Sequence, residues 1–193
     1  MQKSPKNPKA TRANPGKSQT TTHKKILFLV QAAIIAALYA GLTFAAAPIS
    51  YGSFQFRISE ALTILPALTP AAIPGLALGC VIANFGSPLG LVDVLAGSAA
   101  TLAAATLTYL LRKVMLKGWP VLAPLPPVLL NGLVVGAELA CLNGDLLALR
   151  NFTWAAYAAA GFSVAFGELV VCYVAGLPLY ALYKQFVWKK IPT

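Results

Sequence analysis

The chain reads as an all-α integral membrane protein of six transmembrane helices, with both termini in the cytoplasm. Three observations predict this. Of 193 residues, 58% are hydrophobic and only 10% are charged, against about 25% charged in soluble domains. An uncharged apolar run spans residues 26–49, enough helix to cross a ~30 Å hydrocarbon core. Seven basic residues precede it: Lys3, Lys6, Lys9, Arg12, Lys17, Lys24 and Lys25. Lys and Arg beside a span hold that side in the cytoplasm. The formal charge of +10 sits almost entirely at the edges of apolar segments. It therefore reads as an orientation signal, not as a nucleic-acid-binding face.

Residues 1–24 are rich in Lys, Pro, Ser, Thr, Asn and Gln and read as a basic, disordered cytoplasmic tail. The apolar run after them is longer than the 7–15 residues of a signal-peptide core, so it is expected to stay as the first span. Four apolar stretches follow, at 61–85, 94–111, 121–142 and 152–187. One pass each would give five spans and leave Arg112, Lys113, Lys117, Lys184, Lys189 and Lys190 outside, against the charge rule. Pro66, Pro70 and Pro74 interrupt the second stretch, and proline breaks helices. A turn near Thr69–Pro70 makes it two short passes. Six spans then place 13 of the 15 basic residues inside, leaving Arg57 and Arg150 outside. Short passes of this kind require backbone buried in protein or lining a cavity. The last stretch would be ~54 Å of helix. Its span is expected at about 161–184, with 152–160 at the outer interface or over a pocket. The membrane domain is thus 25–187, and 188–193 form a cytoplasmic tail.

Chemistry has few residues to work with. His23, the single histidine, lies in the tail, and Cys80, Cys141 and Cys172 have neither zinc nor disulfide spacing. They read as buried thiols. No metal and no cofactor are expected in this chain. Of five acidic residues, Asp145 stands in a loop with Asn143 and Gly144 and suits a turn. Glu60, Asp93, Glu138 and Glu168 lie in or beside spans, and in the six-pass arrangement all fall in the outer half of the membrane. Intramembrane carboxylates usually face the protein interior, so the grouping points to one polar cavity open to the outside. Asn131 lies seven residues before Glu138 and shares its helix face.

Each residue has a structural alternative. The acids can tie helices together through hydrogen bonds. Asp93 can cap the fourth helix. Arg57 and Glu60, three apart, can pair on a helix surface and fix the preceding loop. Phe54 and Phe56 of that loop, with Trp154 and Tyr157, suit stacking on a flat ligand or anchoring at the interface. The first span carries two ridges of small residues at four-residue spacing: Ala32, Ala36 and Ala40, and Ala33, Ala37 and Gly41. Such ridges let another helix approach closely. Two adjacent ridges make a strip wider than one internal crossing needs.

Four segments carry a family resemblance: FRISEAL (56–62), LTPAAIPGLALGCVIAN (68–84), APLPPVLLNGLVVGAEL (123–139) and GELVVCYVAGLPL (167–179). They closely resemble the QueT family, the queuosine-precursor S components of energy-coupling factor (ECF) transporters. The likeness runs from about Lys25 to Lys184. It implies an ECF S-component-like six-helix bundle that captures a deazaguanine base from outside. It also implies partners: a transmembrane coupling protein and two ATPase subunits. In the wider group an Ala-x-x-x-Ala pattern in the first helix contacts the coupling protein, and Ala32, Ala36 and Ala40 match it. Ligand sites there use helices four to six and the outer loops, where Asp93, Asn131, Glu138, Trp154, Tyr157 and Glu168 fall. A guanine-like base presents two adjacent N–H donors that one carboxylate can accept, and Asn84 or Asn131 can meet its carbonyl edge.

No G-x-x-x-x-G-K loop is present, so ATP use belongs to partners, and the chain itself is not expected to be an enzyme. Rival readings are an S component for another small heterocycle or vitamin, and a proton- or sodium-coupled carrier using Glu138 and Glu168. The carrier is favoured by inverted repeats, and the two halves show no clear self-similarity.

Overall fold

The computed structural model describes residues 15–50, 56–142 and 152–186. Among them there is no strand beyond one isolated bridge, and there are six longer helical segments and one single-turn helix. Helix α1 is Pro15–Ala45, followed by a single turn at Ala47–Ser50. Helix α2, Ile58–Ala67, is wound as a 3-10 helix. Helix α3 is Ala72–Asn84 and α4 is Asp93–Leu111. Helix α5 is Leu125–Leu142. Helix α6 runs unbroken through Trp154–Val170, a π-helical stretch at Val171–Gly176, and Leu177–Phe186.

Among the described residues, three helices are long and apolar enough to cross a membrane: Thr22–Ala45, Asp93–Leu111 and Trp154–Gln185, of 24, 19 and 32 residues. The other three are apolar but shorter. The surface is what lipid selects. Leu29, Leu95, Phe162 and Val174 are each at least 65% exposed, while Arg57, Glu60, Asp93, Asn131, Glu138 and Glu168 are buried. A soluble protein distributes these classes the other way round.

The proline-rich stretch breaks where expected, at the turn between α2 and α3. Helix α2 carries Pro66, and Thr63 Oγ1 donates to the Glu60 carbonyl at 2.6 Å. A 3-10 run this long is uncommon. It is tolerated because residues 59–66 are all buried, shielded from lipid by the other helices. Helices α1, α2 and α3 share one apolar core around Ile35, Tyr39, Leu62, Leu65 and Leu76.

Two expectations change. Helix α1 begins at Pro15, so residues 15–24 are helical and not part of a disordered tail. Proline is favoured at a first helical position, where its missing N–H costs nothing. Residues 1–14 and 187–193 lie outside the described residues. The segment 152–160 is no separate flap. Thr153 Oγ1 caps α6 by accepting from the Ala156 N–H at 3.1 Å, and the helix continues from Trp154 through Gly161. Between α4 and α5, Lys117 and Gly118 both have positive φ, 49° and 83°, and form a two-residue turn closed by Leu116 and Trp119.

Candidate functional site

All six helices send a polar side chain into the bundle interior: Tyr39, Glu60, Asn84, Asp93, Asn131 with Glu138, and Glu168. Arg57, directly before α2, joins them and is 5% exposed. It is the one buried cation among the described residues.

The first group sits where Arg57, α3 and α4 meet. Arg57 Nη2 donates to Asp93 Oδ2 at 3.1 Å. Asn84 Nδ2 donates to the Asp93 carbonyl at 2.7 Å and to Asp93 Oδ1 at 3.1 Å. Asp93 therefore lies inside the bundle, fully buried, and does not cap α4. It opens a π-helical stretch, Asp93–Gly97, and such stretches re-aim side chains at functional sites. Gly97 makes room for this contact. A Cβ there would overlap Asp93 Oδ1 and lie 2.8 Å from Asn84 Nδ2.

The second group joins α1, α2 and α6. Tyr39 Oη donates to Glu60 Oε1. Thr43 and Ser59 hydroxyls bond at 2.7 Å. Cys172 Sγ lies 3.6 Å from both the Glu60 carbonyl and Glu168 Oε2. The third group joins α5 to α6: Asn131 Nδ2 donates to Glu168 Oε1 at 2.9 Å.

Partners run out at particular atoms. Glu138 is 6% exposed and neither of its carboxylate oxygens has a hydrogen-bond partner. Glu60 Oε2 and Asn84 Oδ1 are also buried and unpartnered. Glu138 lines a groove of about 450 Å³ between α4 and α5 with Val92, Ala96, Leu133, Val134, Ala137 and Cys141. Leaving such groups unsatisfied in an apolar medium costs several kcal/mol each in the absence of a ligand. The chemistry offered is acceptor-rich and suits a small molecule with several N–H donors.

Several expected arrangements differ. Arg57 pairs with Asp93, not with Glu60. Its backbone is extended (φ −82°, ψ 99°), so the two residues do not share a helix surface, and the guanidinium reaches across to α4. Trp154 and Tyr157 gather with Phe152, at centroid distances of 5.3 to 6.2 Å. Trp154 is 77% exposed, and Tyr157 Oη donates to the Leu133 carbonyl at 3.3 Å. They form an aromatic cluster at the start of α6 and do not enclose the carboxylates. Phe56 is half-buried, and Phe54 lies outside the described residues.

The small-residue strip splits into two faces. Ala36 and Ala40 are 3% and 6% exposed, and Ala32 is half-buried. They meet α3 of the same chain. A Cβ on Gly75 would lie 2.8 Å from the Ala32 carbonyl oxygen, and one on Gly79 would lie 2.9 Å from that of Ala36. This ridge is therefore occupied and is not a free docking strip. Ala33, Ala37 and Gly41 remain exposed. The sequence signal for the internal partner is Gly75 and Gly79, themselves four residues apart.

Sequence reading misses Tyr39 and Gly97 and takes Cys172 only as a buried thiol. Tyr39 has a retrospective signal: its phenol lies inside an otherwise apolar span and needs a partner there. The π-helical stretches have none.

A family model described as QueT transporter matches residues 29–185 of this chain. A similar curated protein is "Queuosine precursor transporter QueT" of Lactococcus lactis subsp. cremoris (strain MG1363), 41% identical over 85 residues. That match covers 43% of this chain and 50% of the relative, so it spans about half the length of each. No solved structure matches.

Proposed function

The chain belongs to the QueT transporter family and is a multi-pass membrane protein, and from that premise we propose that it is the substrate-binding S component of an ATP-driven ECF importer. It captures a queuosine precursor, a deazaguanine base, from outside. It then delivers the base to the cytoplasm with a coupling protein and two ATPase subunits. The spans number six, with short passes at α2 and α3 and both termini inside.

The observation that carries this reading is the interior acceptor cluster, to which every helix contributes and in which Glu138, Glu60 and Asn84 retain unpartnered atoms. The base brings the missing donors. Its paired N–H edge fits the Glu168 carboxylate beside Asn131, and Asn84 offers a second amide. Removing one acceptor of a buried charge-assisted bond costs ~1.5–3 kcal/mol. Substrate affinity of the Glu168→Gln variant should therefore fall about tenfold or more.

Ala33, Ala37 and Gly41 are proposed as the coupling-protein face, because they are the exposed half of the α1 strip. ATP hydrolysis is left to the partners.

The test is binding and uptake. Purified chain should bind deazaguanine bases in preference to guanine and unrelated vitamins. Vesicles should take them up only with the ATPase module and ATP. Tight binding of an unrelated vitamin alone would move the substrate assignment. Uptake by this chain alone on a proton or sodium gradient would replace the S-component reading with a secondary carrier using its buried carboxylates.

A further inference from the structure

We propose that the groove between the α4–α5 hairpin and α6 binds one anionic phospholipid, with its phosphate at Lys117 and an acyl chain along the groove. The site is separate from the interior acceptor cluster. It rests on the hairpin lying at a membrane surface, not on the identity of the transported molecule. Leu116, Trp119 and Val121 of the hairpin line a space of about 610 Å³ with Tyr173 and Leu177 of α6, and Lys117 is the one charged residue in that lining.

The tight turn builds the groove. Lys117 and Gly118 take positive φ, 49° and 83°, so Leu116 and Trp119 meet as an antiparallel pair with backbone bonds of 2.9 and 3.0 Å. Both residues line the groove, and Lys117 stays exposed between them. Tyr173 Oη donates to the Val121 carbonyl at 2.8 Å and ties the hairpin to α6.

The first ground is the uneven chemistry of the lining. The Tyr173 hydroxyl is spent on Val121, and Leu116, Val121 and Leu177 offer no polar side-chain atom. The Lys117 ammonium and the Trp119 indole N–H remain, and neither has a partner among the described residues. An occupant therefore needs one anionic, acceptor-bearing end and an otherwise apolar body. A soluble anion lacks the body. A zwitterionic lipid has the body but brings its own cation beside Lys117. A phospholipid without a headgroup cation meets both requirements.

The second ground is charge and place. The hairpin carries Arg112, Lys113 and Lys117, and no acid occurs between Asp93 and Glu138. Arg112 is engaged with Tyr109, 3.6 Å over its ring and donating to its carbonyl. Lys113 and Lys117 are exposed. In the six-pass arrangement this hairpin is cytoplasmic, where the membrane surface is negative and basic pockets between spans take lipid headgroups. Tyrosine, tryptophan and lysine in one lining are the residues that anchor at headgroup level.

Trp119 is a built-in reporter. The chain has three tryptophans, and Trp154→Phe with Trp188→Phe leaves Trp119 alone. This full-length chain is placed in phosphatidylcholine vesicles that contain either phosphatidylglycerol or phosphatidylcholine brominated on the acyl chain, at equal fraction. Quenching of Trp119 fluorescence reads contact between that chain and the groove. The anionic lipid should associate about fivefold more tightly, the worth of one lysine at an anionic surface, and the preference should shrink at high salt. In Lys117→Asn the ratio should fall toward one, with quenching by brominated phosphatidylcholine unchanged. Asparagine accepts a positive φ, so the turn is retained. Lys117→Arg should keep the preference. Equal quenching by the two lipids before Lys117 is altered overturns the proposal. So does a preference that survives undiminished in Lys117→Asn. Weak quenching by both lipids also overturns it, because something other than lipid would then cover the groove.

Discussion

Substituting Gly79 by alanine tests whether the α1–α3 seam is as close as described, and whether it supports the site. The added methyl would lie 2.8 Å from Tyr39 Cβ and 2.9 Å from the Ala36 carbonyl oxygen. Carbon atoms in ordinary contact sit ~3.5–4.0 Å apart, so the shortfall is roughly 0.7 Å or more. One neighbour is backbone and the other is the first side-chain atom of a fully buried tyrosine, so neither can swing away. Overpacking of this kind costs about 1–3 kcal/mol, and alanine returns about 0.5–1 kcal/mol through helix propensity. The expected net loss is about 0–2.5 kcal/mol, centred near 1 kcal/mol. Between helices in lipid there is no hydrophobic drive to compensate, since their association rests on close packing. Gly41→Ala is the control: a Cβ there meets no heavy atom within 4 Å, so only the propensity gain remains. The assay is unfolding of purified protein in mixed micelles by increasing SDS, followed by helical circular dichroism. Gly79→Ala should unfold earlier than the unaltered chain, and Gly41→Ala at the same point or later. Gly79→Ala should also bind ligand more weakly, because Tyr39 donates to Glu60. Equal stability of the two variants would refute the close seam.

Two further outcomes are expected. Ala37→Trp, on the exposed ridge, should fold and bind ligand normally yet lose ATP-dependent uptake, whereas Ala36→Trp should reduce folded yield because it strikes Gly79; normal uptake by Ala37→Trp would remove that ridge as the docking face. In a chain with its native cysteines replaced, Lys117→Cys should resist an impermeant reagent applied outside while Asn143→Cys reacts, and the reverse pattern would overturn the proposed topology.

The sequence by itself determined the class of molecule, because membrane insertion depends on quantities that are local along the chain. Apolar length, proline punctuation at 66–74 and the placement of basic residues are one-dimensional properties. They gave the helical architecture and the break before α3. The rarity of charge in an apolar chain also picked out Glu60, Asp93, Glu138 and Glu168, since each must be stabilised wherever it lies. Which groups satisfy each acid was decided only by the tertiary structure. Asp93 meets Arg57 and Asn84 rather than its own helix end, because a π-helical stretch and Gly97 let the chains approach. Glu168 meets Asn131 across the α5–α6 seam, and Glu60 meets Tyr39. The two alanine ridges of α1 were equivalent in sequence. They became an internal seam and an outer face only when Gly75 and Gly79 packed against one of them. Partner choice depends on distances between residues far apart in the chain, and hydropathy and spacing carry no record of those distances.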